Sequence, residues 1–174
     1  MALSEVKVID KFLPTDVYYG IRNYFTSDNC PWVICDGIAS AQSSIDDWQL
    51  AHPIYVSEYR SGSLDFIRPI IDRIQPDLIC RIKANSRRVR NELKEDELHT
   101  DFKFVCDDYY TGIYYVNSND GYTSFEDGTK VDSIGNRMVI FKGNTMHGGS
   151  THTDTICKWR VVINFNWFGG PYAQ

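Results

Sequence analysis

With 174 residues, 24% of them charged and 43% hydrophobic, the chain has the make-up of a single globular domain, spanning 1–174, with one well-buried core. No apolar run approaches the roughly 20 residues that span a bilayer, and 23 acidic against 18 basic side chains give a net charge of -5, which disfavours nucleic acid and anionic membrane as partners. Five cysteines (Cys30, Cys35, Cys80, Cys106 and Cys157), an odd count without a CxxC pair, argue against a disulfide framework and a thiolate zinc site. The opening Met1-Ala-Leu-Ser-Glu-Val6 has neither a basic start nor an apolar stretch, so the expected location is cytoplasmic.

In chain order, residues 5–12 alternate as an edge strand closed by Leu13-Pro14. Thr15 or Asp16 then caps a helix over 17–25, with Val17, Ile21 and Tyr24 on one face, which ends at Ser27-Asp28-Asn29 and packs on the outside of a sheet. A second helix over 63–74 follows from the spacing of Phe66, Ile67, Ile70, Ile71 and Ile74, with Pro69 kinking or shifting it and Gln75-Pro76-Asp77 ending it. From Leu78 the pattern becomes short strands over 78–84, 109–117, 122–125, 137–141 and 159–168, separated by polar turns such as Lys142-Gly-Asn-Thr145. Arg81, Lys83, Arg87, Arg88 and Arg90, followed directly by Glu92, Glu95, Asp96 and Glu97, read as a solvated, self-neutralising loop. Helices at the front and strands behind define an α+β chain built on an antiparallel sandwich or small barrel.

Two of the four histidines stand where metal chemistry would want them. His99-Thr-Asp101 sets an imidazole and a carboxylate at i and i+2, which share a face in extended chain and can reach one cation. Such a pair suits iron(II), manganese or zinc, and a histidine from another strand completes a facial triad with open positions. His147 is placed for this, because Met138-Val-Ile-Phe141 is an apolar strand and the turn after it would fold His147 back alongside in a hairpin. His52, in Ala-His-Pro-Ile, has no partner motif and reads as a loop or core histidine. In 159–168, Trp159, Val161, Ile163, Phe165 and Trp167 form one face and Arg160, Val162, Asn164 and Asn166 the other. A buried Arg160 beside a metal would seat a dicarboxylate by two parallel hydrogen bonds.

In order along the chain, His99-Thr-Asp101, Thr111-Gly-Ile-Tyr-Tyr-Val-Asn117, Gly121-Tyr-Thr-Ser-Phe125, Met138-Val-Ile-Phe141, His147 and Arg160-Val-Val-Ile-Asn-Phe-Asn166 resemble the iron(II)- and 2-oxoglutarate-dependent dioxygenases, in particular their prolyl 4-hydroxylase-like branch. Val8-Ile-Asp-Lys-Phe-Leu-Pro14 looks like the opening of such proteins, and Ile82-Lys-Ala-Asn85 like a strand that some viral and bacterial members carry. The resemblance implies a double-stranded β-helix, or jelly roll, with supporting amino-terminal helices. It implies that His99, Asp101 and His147 bind iron(II), that Arg160 and Tyr115 bind the distal carboxylate of 2-oxoglutarate, and that Asn164 lies deeper beside it. Arg160 follows His147 by 13 residues where relatives are nearer ten, so 148–158 carries a small insertion. That insertion holds His152, the rival third ligand; the spacing of His147 from Phe141 in the family hairpin, and Gly148-Gly149 after it, favour His147.

The activity implied is hydroxylation coupled to oxidative decarboxylation of 2-oxoglutarate, with oxygen consumed and ascorbate as an optional reductant. A carboxylate ligand leaves no position for a halide, which disfavours halogenation. The substrate expected by analogy is a prolyl residue of a peptide or a free amino acid. Two alternatives stand beside this: a non-catalytic jelly roll that keeps its metal as a staple, and a nucleic-acid demethylase of the same superfamily, supported by the basic stretch 81–90 alone. GxxxxGK[ST], GxGxxG and GxSxG are absent.

Overall fold

Among residues 6–36, 48–103, 106 and 108–171, which the computed structural model describes, the chain forms eleven strands and two helices. They are β1 (Lys7–Ile9), α1 (Thr15–Phe25), β2 (Val33–Asp36), β3 (Trp48–Val56), β4 (Tyr59–Arg60), α2 (Leu64–Ile74), β5 (Leu78–Arg88), β6 (Tyr109–Tyr115), β7 (Tyr122–Phe125), β8 (Lys130–Asp132), β9 (Arg137–Lys142), β10 (His147–Gly149) and β11 (Trp159–Phe168). An antiparallel sheet runs β1-β9-β6-β11-β5-β3-β2, with β4 beside β3, and a smaller one runs β10-β7-β8. The mostly-β architecture with two helices is consistent with the jelly-roll-like fold expected.

The alternation of β11 separates two cores. Val161, Ile163, Phe165 and Trp167 pack with Ile21 and Phe25 of α1 and Ile67, Ile70 and Ile74 of α2, so the helices do cover the outside of the large sheet. On the other face Val162, Ile113, Tyr115, Val139 and Phe141 meet Phe125 and Val131 of the small sheet. A cavity lined by Ile113, Arg160, Val162 and Asn164 opens on this second face. β11 is central, paired with β5 on one side and β6 on the other.

Several local expectations need correction. Neither Thr15 nor Asp16 caps α1: the helix starts at Thr15, after Pro14, with no side-chain cap, and Asp16 instead places a negative charge in the first turn. Pro69 sits inside α2, whose end at Ile74, before Gln75-Pro76-Asp77, is as expected. The burial of Ile67, Ile70 and Ile74, about 1.5–3 kcal/mol each, outweighs the roughly 3 kcal/mol cost of an interior proline. His147 is not paired with β9 through a hairpin. β10 crosses to the small sheet and pairs with β7, because β9 already has β1 and β6 as neighbours. The basic stretch is not a solvated loop. It continues β5 to Arg88, between β11 and β3.

All five cysteines are free thiols. No helix among the described residues is long and apolar enough to cross a membrane.

His52 is a core histidine on β3, bonded to Ser63 Oγ at 2.8 Å and the Pro31 carbonyl at 3.2 Å. It and His152 are fully enclosed, and burial holds both imidazoles below their usual value. The unfolded chain therefore binds protons that the folded one refuses. As pH falls below about 6.5, the metal-free protein should lose up to about 1.4 kcal/mol of stability per pH unit per histidine. Urea midpoints at pH 7.5 and 5.5 check this, and His52→Gln should lower the slope; equal midpoints at the two pH values would contradict it.

Candidate active site

Backbone pairing brings the two histidines together. His99 N–H donates to the His147 carbonyl at 2.9 Å and His147 N–H to the His99 carbonyl at 3.0 Å, an isolated antiparallel bridge that sets the rings 5.0 Å apart. Each ring is then pinned the same way, Nδ1 to the carbonyl two residues back: Glu97 for His99 at 3.2 Å and Thr145 for His147 at 3.0 Å. A carbonyl partner requires Nδ1–H, so both Nε2 lone pairs are left for a metal. Burial lowers the His147 pKa and keeps this ring neutral, the form that ligates. Phe141 and Phe125 wall it in, the Phe141 centroid 4.7 Å away.

Asp101 meets them, with ligand atoms of His99, Asp101 and His147 all within 4.8 Å of one another. Its Oδ1 is 2.7 Å from Arg81 Nη2, and its Oδ2 accepts from Asn166 Nδ2 at 2.8 Å. Arg81 Nε donates in turn to Asn166 Oδ1 at 3.0 Å, and Asn166 Nδ2 to Thr111 Oγ1 at 3.1 Å, which closes a ring of bonds and fixes the amide. Burial pushes the Asp101 carboxyl up, but Arg81 and the Asn166 amide outweigh it and hold it below the usual range. Two imidazoles with Nε2 free and one carboxylate fit a borderline-hard divalent metal, with positions left open for exogenous ligands.

The triad borders a cavity of about 310 Å³ floored by β5 and β11. Arg160 lines the same cavity, buried, with Nε donating to Ser133 Oγ at 2.9 Å and Nη2 to the Tyr122 carbonyl at 3.1 Å. No carboxylate of the described residues lies within 4.0 Å of it. Burial pulls its pKa down, against the opposing effect of Tyr115 and the more distant Asp96. Tyr115, pushed up by burial, does not line the cavity; its hydroxyl donates to Thr123 Oγ1 at 2.7 Å, and Thr123 does line it. Asn164 lines the cavity with Oδ1 buried and unpartnered.

His152 lies outside the triad, with Nε2 against the Arg87 carbonyl at 3.3 Å and Nδ1 unpartnered. Sequence reasoning missed Arg81 and Thr123, and set Asn166 on the polar face of β11 without its bond to Asp101. The signal for Arg81 was present, since Arg81, Lys83, Asn85 and Arg87 alternate with Ile82, Ala84 and Ser86 as a two-faced strand does. All four line the cavity, and Arg87 is paired with Asp96 at 2.6 Å.

Gly121 keeps Arg160 in place by having no side chain: a Cβ there would stand 2.8 Å from Arg160 Cδ and 3.0 Å from Nε. Gly121→Ala should displace the guanidinium from its bonds to Ser133 and Tyr122, an overpacking that costs about 1–3 kcal/mol. Denaturant unfolding checks it, and an unchanged midpoint would show that Arg160 has room to give.

No protein-family model and no curated protein matches the sequence. Solved structures do match in fold. A prolyl hydroxylase from Trichoplax adhaerens, in complex with a hypoxia inducible factor oxygen degradation domain peptide, aligns with TM-score 0.59 and 15% identity over 94% of this chain and 83% of that one. The non-heme α-ketoglutarate-dependent epimerase SnoN of nogalamycin biosynthesis aligns with TM-score 0.65 and 10% identity over 98% and 82%. HygX from Streptomyces hygroscopicus, with nickel and 2-oxoglutarate bound, aligns with TM-score 0.58 and 11% identity over 97% and 84%. The chain thus has the fold of the 2-oxoglutarate-dependent oxygenases, prolyl hydroxylases among them.

Proposed function

We propose that this protein is an iron(II)- and 2-oxoglutarate-dependent oxygenase whose two sheets form the double-stranded β-helix of that superfamily. The observation that carries this is a triad of two histidines and a carboxylate sharing one cavity with a buried arginine that lacks a counter-ion. In this reading His99, Asp101 and His147 hold the metal, and Arg81 and Asn166 orient Asp101. Arg160 takes the distal carboxylate of 2-oxoglutarate, with Thr123 and the Tyr115 hydroxyl behind it, and Asn164 lies alongside. When bound, iron(II) would activate dioxygen, the oxidant, while 2-oxoglutarate gives up two electrons in becoming succinate and carbon dioxide; one oxygen atom goes to succinate and the other to the substrate. The protein's part is to position these groups and exclude water, through Phe125, Phe141 and Val162.

An unpaired Arg160 argues against a metal staple without turnover, which has no use for a carboxylate seat. The reading as a nucleic-acid demethylase loses its support, since three of its five basic residues, Arg81, Lys83 and Arg87, face the cavity.

Succinate should form only when iron(II) and 2-oxoglutarate are both present. His99→Ala should reduce it more than about 100-fold, because losing an outer-shell partner alone costs about 10–100-fold. Metal-loaded protein that never forms succinate with any substrate panel would sink the proposal.

A further inference from the structure

Among the described residues the cavity sets four cations, Arg81, Lys83, Arg87 and Arg160, against two carboxylates, Asp96 and Asp101. Arg81 is paired with Asp101 and Arg87 with Asp96, and Arg160 stands where the proposed cosubstrate would bind. Lys83 is left over, with no carboxylate of the described residues within 4.0 Å. Four cations against two carboxylates leave two positive charges, and a divalent metal with a dicarboxylate cosubstrate, equal and opposite in charge, leaves that sum unchanged. A part-buried cation without a partner is unfavourable and draws an anion into the cavity.

Register places the surplus. Lys83 lies directly across from Asn164 and Asn85 directly across from Val162, so Lys83 and Asn85 sit on the β3 side of β11, the strand that carries Arg160. Asn85 Oδ1 is buried with no hydrogen-bond partner, a second unanswered polar group two residues along the same face. This wall presents Lys83 and two amides, Asn85 and Asn164, to the cavity, with Val162 between them.

Resting on the oxygenase reading above, we infer that the primary substrate is a small molecule bearing an anionic group, a carboxylate or a phosphate, which Lys83 binds while Asn85 accepts a hydrogen bond from the neighbouring donor. The substrate is therefore not a neutral prolyl side chain.

The test uses protein loaded with nickel(II) and saturating 2-oxoglutarate, titrated calorimetrically with L-glutamate and O-phospho-L-serine, each as its N-acetyl amide so that the side chain is its one anionic group, and with their neutral counterparts, the N-acetyl amides of L-glutamine and L-serine. At least one anion should bind and its counterpart should bind at least tenfold more weakly. Glutamate alone would identify the carboxylate form and phosphoserine alone the phosphate form. Lys83→Met should weaken the anion at least tenfold and Lys83→Arg should restore most of it, with a melting temperature near that of the unaltered protein for each variant. Binding of neither anion, equal binding of the neutral pair, or an unchanged affinity in Lys83→Met would overturn the inference. So would a Lys83→Met that loses 2-oxoglutarate instead, since Lys83 would then belong to the cosubstrate seat. Failure of nickel and 2-oxoglutarate to bind at all is visible before any anion is added and counts against the oxygenase reading itself.

Discussion

Replacement of Arg160 by methionine is expected to remove 2-oxoglutarate binding while leaving the metal-free protein almost as stable as before. Truncating one member of a buried charge pair costs about 2–5 kcal/mol, which is about 30-fold to several thousandfold in affinity. The stability forecast is less obvious. Arg160 donates to Ser133 and Tyr122, and hydrogen bonds from a charged group contribute about 1.5–3 kcal/mol each. Against this, a buried ion without a counter-ion carries a desolvation penalty of several kcal/mol, which methionine removes. The two nearly cancel, so unfolding free energy should change by no more than about 1–2 kcal/mol, where breaking a real buried ion pair would lose about 3–5 kcal/mol. Calorimetric titration with 2-oxoglutarate and denaturant unfolding together check both halves. A large loss of stability with binding intact would make Arg160 a structural residue.

Trp167→Ala is the largest effect expected on folding. Trp167 is fully buried on the helix-covered face of β11, with its ring 5.9 Å from that of Tyr110 and its Nε1 donating to the Gly169 carbonyl at 3.2 Å. The ring occupies the space beside Gly112, where a Cβ would fall 2.8 Å from it. Truncation of a buried tryptophan leaves a large cavity, so the loss should be about 3–5 kcal/mol, a large part of the 5–15 kcal/mol typical of a domain. Because the cavity lies on the opposite face of β11, the folded fraction should still bind 2-oxoglutarate normally. A denaturant midpoint lowered by the equivalent of less than about 1 kcal/mol would show that the core collapses around the gap.

Why some of this was legible in sequence and some was not follows from pattern and distance. β11 alternates without interruption, so both of its faces could be read, and its bounds stand as expected. β5 alternates as well, but cations on one face imitate a surface stretch when the cavity they line is itself polar. The charge of Arg81 was visible and its partner Asp101 was not, because the contact joins β5 to a segment 20 residues on. Asn166 is 65 residues from Asp101, a pairing that only sheet order creates. β2 and β3 went unread: Pro53 interrupts the apolar pattern of β3, and β2 is four residues long. The spacing from Phe141 that pointed to His147 arises from a crossing between sheets rather than a hairpin, and His147 still meets His99 and Asp101 because the bridge to His99 draws it in.

The most direct test of the central claim is the visible absorption of the protein after anaerobic addition of iron(II) and 2-oxoglutarate. A metal held by His99, Asp101 and His147 and chelated by 2-oxoglutarate should give a broad charge-transfer band that His147→Ala and Arg160→Met abolish and His152→Ala leaves in place. A colourless mixture, or a band that survives His147→Ala and disappears in His152→Ala, would contradict it.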